Sequence, residues 1–123
     1  MNRVTNFEIP AGDPQQVMDF FSKTFGWKFT EFDPGHYWMA ETGEPGTDGI
    51  NGSVMKRRDP RQPVVTSILV EDIDAVIEKV KANGGNIVVD KQAVHSYGWL
   101  AYFKDPDGNI HGIWQNNTNG SAV

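Results

Sequence analysis

Apolar residues recur at helical spacing in two segments of the chain. The two stripes consist of Val17, Phe20, Phe21 and Phe25 in the first segment and of Ile73, Val76, Ile77 and Val80 in the second. Steps of three and four residues put each stripe on one face of a helix. Each segment begins at an aspartate, Asp13 or Asp72, and ends by a glycine, Gly26 or Gly85, at the same offset of 59 residues (72 − 13 and 85 − 26). Asp is a preferred N-cap and Gly a frequent helix end, so the sequence predicts the same helical unit twice.

Strand patterns surround both predicted helices. In the first copy the predicted strands cover residues 4–10, 27–32, 36–41 and 50–56, and in the second they cover residues 64–70, 86–90, 98–104 and 109–115. Residues 105–108 (DPDG) favour a tight hairpin turn, and the Gly- and Pro-rich residues 42–49 form a loop that is a candidate for a mobile lid. Each copy is therefore βαβββ, which gives an α+β fold.

Composition limits the class of protein. A length of 123 residues fits one domain, with a first module at about residues 4–58, a second at about 64–115, and a small polar tail over 116–123 that we expect to be frayed. The chain has no Cys, which excludes disulfides and thiolate chemistry, and its net charge of −5 argues against nucleic-acid binding. It contains no signal-like or membrane-spanning apolar run, so we expect a cytoplasmic protein without membrane contact.

Three sequence segments resemble the vicinal oxygen chelate superfamily, which includes glyoxalase I, bleomycin-resistance proteins, extradiol dioxygenases and methylmalonyl-CoA epimerase. These segments are NFEIPAGDP at the start, GINGSVMKR in the middle and, most specifically, GWLAYFKDPDGNIHGIWQ near the end. The resemblance covers residues 4–115. It implies that the two modules form a cup-shaped mixed sheet, in which catalytic members of the family hold a divalent metal.

The resemblance also shows where the metal ligands of the family would fall. The first ligand position holds Asn6, the second falls near Val65, and the carboxylate position of the last strand holds Gly112. The remaining ligand would lie within residues 51–55, which contain no carboxylate or imidazole. We therefore expect no cofactor and no conventional metal site. A divalent metal held by Glu8 and a histidine stays open as an unfavoured alternative.

Glu8 is the best acid or base candidate in the sequence. It lies two residues from Asn6, so the two side chains share one face of the first strand. A solvated or Arg-paired carboxylate is the simpler interpretation of Glu8, and it is weighed alongside catalysis. His111 has the opposite strand parity from Gly112, which places it towards the helix layer as a structural histidine. His36 and His95 are expected at the surface.

Aromatic residues occupy both faces of two predicted strands. Trp99 lies opposite Leu100 and Tyr102, and Trp38 lies opposite Tyr37 and Met39. One face must pack on a helix, while the other can be core, a subunit interface or the wall of a pocket. We expect a ligand pocket whose candidate residues are Asn6, Glu8, Trp38, Asn51, Ser67, Trp99 and Gly112. An apolar wall with a few polar groups suits a small organic molecule.

Three functions are compatible with these features. The favoured one is a glyoxalase- or bleomycin-resistance-like protein, acting as a homodimer, that binds a small organic molecule without the usual metal. The second is a lyase or isomerase that uses Glu8 as a base and Asn6 to polarise a substrate oxygen. The third is an oligomerising scaffold. Fold analogy cannot choose among them, because the superfamily carries many reactions on one scaffold.

Overall fold

The computed structural model describes residues 1–117, which form eight strands and two helices. The strands are β1 (Arg3–Ala11), β2 (Lys28–Asp33), β3 (Tyr37–Glu41), β4 (Asn51–Lys56), β5 (Val65–Leu69), β6 (Asn86–Val94), β7 (Gly98–Lys104) and β8 (Ile110–Asn116), and the helices are α1 (Pro14–Phe25) and α2 (Ile73–Ala82). Backbone contacts divide the chain into two compact units. The N-terminal unit is Asn6–Val65, and the C-terminal unit joins Met1–Thr5 to residues 66–117.

The predicted frayed tail is partly structured. Asn116 is the last residue of β8, and the backbone N–H of Asn117 donates to the carbonyl of Tyr97 at 2.9 Å. Backbone hydrogen bonds therefore hold these two residues, and the fraying of the tail stays a prediction. Residues 118–123 lie outside the part of the chain that is described.

The N-terminal unit is a sheet in the order β2-β3-β4-β1, with α1 on one face. β1 pairs with β4 in parallel, whereas β2–β3 and β3–β4 are antiparallel. The predicted helix boundaries are confirmed: the Asp13 carboxylate accepts from the N–H of Gln16 at 3.2 Å, and Gly26 ends α1 with φ 76°. Such a left-handed conformation favours glycine because it has no Cβ.

The α1 residues that pack against the sheet are not all members of the predicted apolar stripe. Met18 is buried with Ala11 and Val54, and Val17 packs against them. Phe20 and Phe25, both assigned to the stripe, are 57% and 63% exposed. The prediction that Phe20 and Phe25 lie on the buried face of α1 was wrong. The helix directs the side that carries Val17 and Met18 towards the sheet.

An aromatic cluster connects the C-terminal end of α1 to the sheet. The Trp27 ring stacks on Phe21 with centroids 4.5 Å apart and an interplanar angle of 10°. It also lies 5.5 Å from the ring of Phe7 on β1 and 6.5 Å from that of Phe29 on β2. Aromatic pairs at these spacings add to the stability gained from burying their area. The cluster therefore ties the C-terminal turn of the helix to two strands.

The C-terminal unit repeats the arrangement, with the strand order β5-β8-β7-β6 and α2 on one face. Asp72 caps α2 by accepting from the N–H of Ala75 at 3.1 Å. The predicted stripe on α2 is confirmed: Ile73 is fully buried, and Val76 and Ile77 pack against the same core. Neither helix in residues 1–117 has the length and apolarity needed to cross a membrane.

The strand predicted over residues 86–90 extends to Val94 as β6. Its pairing with β7 shifts register twice, between Ile87 and Val89 and between Val89 and Gln92. β6 ends the strand order of its unit, and a strand at a sheet edge can carry exposed polar residues without losing its pairing. The polar residues after Asp90 therefore do not mark the end of the strand.

A carboxylate organises the turn between β7 and β8. Asp105 accepts hydrogen bonds from the backbone N–H groups of Asp107 and Asn109 at 2.9 and 3.0 Å, and its other oxygen lies 2.9 Å from Nε2 of His111. The bond to His111, followed by those from Asn109, holds the pKa of Asp105 well below its ordinary value. The predicted tight turn is confirmed, and the His111 ring stacks on Phe103 at 5.3 Å.

The parallel pairing of β1 with β4 requires a residue without a side chain at Gly52. A Cβ placed there would lie 2.5 Å from both the carbonyl oxygen and a ring carbon of Phe7, the residue directly across the pairing. Real Cβ contacts do not come so close, so any side chain must separate the two strands or displace the Phe7 ring.

We expect Gly52→Ala to lower the stability of the protein by about 1–3 kcal/mol, the usual range for overpacking a tight site. Thermal unfolding followed by circular dichroism measures it. Gly12→Ala is the matched control, because a Cβ at Gly12 meets nothing within 4 Å. An equal melting temperature for the two variants would contradict the steric argument.

We expect Asp105→Asn to destabilise the protein in a pH-dependent way. Because the pKa of Asp105 is lowered in the folded state, its ionised form stabilises the fold above the ordinary carboxyl pKa of about 3.9, and this contribution is lost as pH falls further. The difference in denaturant stability between wild type and variant should thus be full near pH 6 and shrink below pH ~4. Asp107→Asn, in the same turn, is the control. A difference that does not change with pH would refute this role for the charge.

Candidate functional site

Strand parity separates the two faces of the sheet in the N-terminal unit. Ile9 and Ala11 of β1 pack with α1, so Asn6 and Glu8 project from the opposite face, which we call the far face. Ser53 of β4 lies directly across from Glu8 in the parallel pairing and belongs to the same face. Glu8 and Ser53 are only 7% and 3% exposed. The far face therefore holds a buried carboxylate beside a buried hydroxyl.

Tyr37 completes a row across three strands. It pairs with Met55, two residues from Ser53, and its hydroxyl reaches diagonally to Oγ of Ser53 at 3.0 Å. Ser53 Oγ in turn donates to the backbone carbonyl of Phe7 at 3.5 Å. The order β1, β4, β3 thus brings Glu8, Ser53 and Tyr37 together on one face.

The electrostatics of this row keep the phenol neutral. Burial of the Tyr37 ring is the main cause that raises its pKa, and the negative charge of Glu8 raises the pKa further. The hydrogen bond with Ser53 acts in the opposite direction. The ring also meets Phe32 edge to face, with centroids 5.6 Å apart and an interplanar angle of 62°. A neutral hydroxyl and an aromatic surface therefore lie beside the carboxylate.

The two asparagines differ in their hydrogen bonding. Oδ1 of Asn6 is buried and has no hydrogen-bond partner. Oδ1 of Asn51, across the pairing from Asn6, accepts from the backbone N–H of Thr42 at 2.9 Å and from the Thr42 hydroxyl at 3.3 Å. Asn51 thus anchors the start of the loop over residues 42–49. Its predicted role in ligand binding and the lid role of the loop stay predictions.

Ser67 and Gly112 lie together in the C-terminal unit. Ile68 and Val70 pack on the α2 side, so Ser67 projects from the opposite face of β5, where it pairs with Gly112 of β8. Ser67 is 1% exposed and its Oγ has no hydrogen-bond partner. A Cβ at Gly112 would lie 3.2 Å from that oxygen. The hydroxyl therefore fits closely over the glycine, and the predicted binding role of the pair stays a prediction.

The two predicted pocket tryptophans pack on the helix sides of their sheets. Trp38 contacts the core of Ala11, Met18 and Val54 beneath α1, and Trp99 contacts the core that α2 covers. Neither indole shares a face with Glu8 or Ser67 of its own unit, and the predicted binding role of the two tryptophans stays a prediction. Large rings fill the space between helix and sheet, and their strand neighbours Tyr37 and Leu100 project the other way.

The residues of the chain do not fit the divalent metal of catalytic family members. The expected ligand positions hold Asn6, Val65 and Gly112, which offer no imidazole or carboxylate. Within residues 1–117 no three His, Asp or Glu side chains come close enough to share an ion. His36 and His95 are exposed, and His111 bonds Asp105 on the α2 side.

Sequence reasoning missed Tyr37 and Ser53 as site residues. Tyr37 was recognised as facing away from Trp38, but alternation alone does not tell which of two apolar faces packs on a helix. Ser53 lies within residues 51–55, where a metal site would need a carboxylate or imidazole, and a serine offers neither. Its position two residues after Asn51 was the available signal, because alternate residues of a strand share a face.

Comparison with known proteins identifies the family. The family model described as Glyoxalase/Bleomycin resistance protein/Dioxygenase superfamily matches residues 3–111. A glyoxylase-like domain-containing protein of Didymella fabae is 31% identical over 117 residues, covering 90% of this chain and 91% of that protein. A protein of Mycobacterium bovis named "Putative glyoxylase CFP32" is 27% identical over 124 residues. That match covers 89% of this chain but 44% of the relative, so the chain spans about half the length of that protein.

Solved structures agree on the fold. A superfamily member from Vibrio splendidus 12B01 matches with a TM-score of 0.66 and 17% identity, covering 93% of this chain and 98% of the other. A variant of Streptomyces coelicolor methylmalonyl-CoA epimerase matches with a TM-score of 0.70 and 13% identity, covering 96% of each chain. At these identities the likeness concerns the fold alone, and it confirms the α+β class with two βαβββ modules. Because the family model spans most of the sequence, the chain belongs to the Glyoxalase/Bleomycin resistance protein/Dioxygenase superfamily.

Proposed function

We propose that this protein binds a small organic molecule on the far face of the N-terminal unit, at Glu8, Ser53 and Tyr37, without the usual metal. The observation that carries the proposal is the carboxylate of Glu8, which is 7% exposed beside the buried Ser53. Burying a carboxylate costs free energy unless other groups compensate it, so a carboxylate kept at a buried position favours a functional role.

The superfamily gives this proposal a context. Two solved structures of similar fold are described as methylmalonyl-CoA epimerase in complex with methylmalonyl-CoA and as an epimerase with 2-nitronate-propionyl-CoA. Both of those ligands are organic molecules held by a protein of this fold. Which molecule this chain takes is set by its own side chains, which differ from metal ligands at the family positions.

A lyase or isomerase is the second candidate function. It is favoured by the neutral Tyr37 hydroxyl next to Glu8, because a base and a proton donor side by side can move a proton between two positions of a substrate. Glu8 would remove a proton from carbon, and Asn6, on the same strand face, would help to position the substrate. In an isomerase the proton taken by Glu8 returns to the substrate at a second position, and in a lyase it is transferred to the departing group, so neither reaction consumes another reactant.

We also propose that the protein is a homodimer and that it is located in the cytoplasm. A homodimer is supported by the exposed rings of Phe20 and Phe25 on α1, because large apolar side chains at a surface favour association. Light scattering separates this proposal from the scaffold alternative, since a monomer that binds ligand needs no assembly to function. A cytoplasmic location is the proposal that fits a chain without Cys.

For the binding proposal we expect that a panel of small organic metabolites and antibiotics contains compounds that raise the melting temperature of the wild type, because a ligand of the folded state stabilises it. At 100 times its Kd a ligand adds about 2.7 kcal/mol. Glu8→Gln should lose the shift while keeping its own folded spectrum. Asp19→Asn removes an exposed carboxylate from α1 and should keep it. A panel without any shift would count against binding.

For the enzymatic alternative we expect the protein to catalyse deuterium exchange at acidic C–H positions of small carbonyl compounds in D2O, measured by proton NMR. Glu8→Gln should lower the exchange rate by about 10²–10⁴-fold, the usual contribution of a positioned base. Asp19→Asn again serves as the control. Undiminished exchange in Glu8→Gln would remove Glu8 from the reaction.

A further inference from the structure

We infer that the C-terminal unit has a binding site of its own, a cavity beside α2 that takes a small organic anion with an aromatic or branched alkyl body. The cavity lies on the helix side of the sheet, and its residues are all in the C-terminal unit. None of them belongs to the row of Glu8, Ser53 and Tyr37. The inference therefore goes beyond the proposed function and does not depend on it.

The cavity exists because α2 does not cover the whole sheet. The helix packs mainly against β6, β7 and β8, so a space of about 310 Å³ remains between the helix and β5. This volume is close to the lower end of the range for small-molecule pockets, about 300–1,000 Å³. The apolar lining consists of Ile68, Val70, Val76, Phe103 and Ile113.

These apolar walls belong to the packed core of the unit. Val70 and Ile113 are each 1% exposed, and the other three apolar residues pack against the same core. The Phe103 ring is also stacked by His111, with centroids 5.3 Å apart, and His111 bonds Asp105 at 2.9 Å. Walls that are already ordered lower the entropic cost of binding. The cavity therefore suits a compact apolar body.

Two exposed polar side chains, Asn2 and Lys79, complete the lining. The backbone positions Asn2 beside β5: its N–H donates to the carbonyl of Leu69 at 2.7 Å, and its φ of 65° is a left-handed conformation in which asparagine is enriched. The amide of Asn2 can donate as well as accept, whereas the ammonium of Lys79 carries three donors and no acceptor. The mouth of the cavity therefore offers donors from the strand side and from the helix side.

The positive charge of Lys79 has no carboxylate partner within residues 1–117. The two acidic residues of α2 have cations of their own, since Glu78 pairs with Lys81 at 3.2 Å and Asp74 pairs with Lys91 at 3.1 Å. Neither polar side chain at the mouth has a hydrogen-bond or ion-pair partner in this part of the chain. An anion with an apolar body complements both the charge and the walls, because charge-assisted hydrogen bonds are the stronger ones.

The test uses three probes that separate the charge from the apolar body: phenylacetate, its neutral isostere phenylacetamide, and acetate. Each is titrated at pH 7 into the isotopically labelled protein while the methyl signals of residues 68, 70, 76 and 113 are followed by NMR. We expect phenylacetate to shift these signals with an affinity about 5-fold above that of phenylacetamide, or about 1 kcal/mol, the upper range for a surface ion pair. Acetate should bind more weakly than either, because it buries little apolar area.

Substitutions on α2 examine the origin of the preference. Lys79→Met removes the charge, keeps a long apolar side chain, and should bring the phenylacetate affinity down to that of phenylacetamide. Lys79→Arg keeps the charge and should retain the preference. Lys81→Met is the matched control, because it removes the same charge from the opposite side of the helix, about 200° away around the axis. It should leave the preference intact.

The other outcomes decide against the inference. If phenylacetamide binds as tightly as phenylacetate, the selection of an anion is refuted and Lys79 only covers apolar surface with its methylene stem. If Lys81→Met lowers the preference as much as Lys79→Met, the general charge of the helix is responsible and the role of Lys79 is refuted. If phenylacetate shifts only signals of residues 6–8, 37 and 53, the cavity is refuted and the proposed far-face site is supported. If no probe shifts the cavity signals at millimolar concentration, the inference fails while the proposed function stands.

Discussion

The N-terminal unit depends on the close approach of β1 and β4 at Phe7 and Gly52. Because Gly52 has no side chain, the Phe7 carbonyl and ring occupy the space where a Cβ would project. This contact fits one register of the parallel pair, and a slip of one residue would turn every side chain of β1 to the other face. The same register aligns Glu8 with Ser53 on the far face. The steric constraint on one side of the strands therefore determines the polar row on the other.

The helix side of the unit supplies the rigidity that the far face needs. Trp27 joins α1 to β1 and β2 through contacts with the Phe7, Phe21 and Phe29 rings, and Trp38 fills the core beneath the helix. With Trp38 directed at α1, its strand neighbour Tyr37 must face the opposite way, where its hydroxyl reaches Ser53. A site whose side chains lie on paired strands keeps its geometry better than one built on loops.

This chain uses the scaffold of its superfamily with different chemistry at the family positions. Where a metal would require imidazole or carboxylate ligands, the sequence has Asn6 and Gly112, and the buried carboxylate of Glu8 lies beside a neutral phenol instead. Burial raises the pKa of Tyr37, and the nearby charge of Glu8 raises it further, so the phenol stays neutral.

The sequence by itself determined the features that depend on neighbours along the chain. Asp13 and Gly26 marked the ends of α1, and the turn at Asp105 was predicted correctly, because caps and tight turns are hydrogen-bonded within a few residues. Repetition of these signals predicted the two βαβββ modules, and the family was indicated by the resemblance of three sequence segments. Only the tertiary structure decided which apolar face of β3 meets a helix, why β6 continues through polar residues, and that Phe20 is exposed. The tertiary structure also decided the row of Glu8, Ser53 and Tyr37. Strand order and register bring these residues together from distant parts of the sequence, and no local pattern encodes either of them.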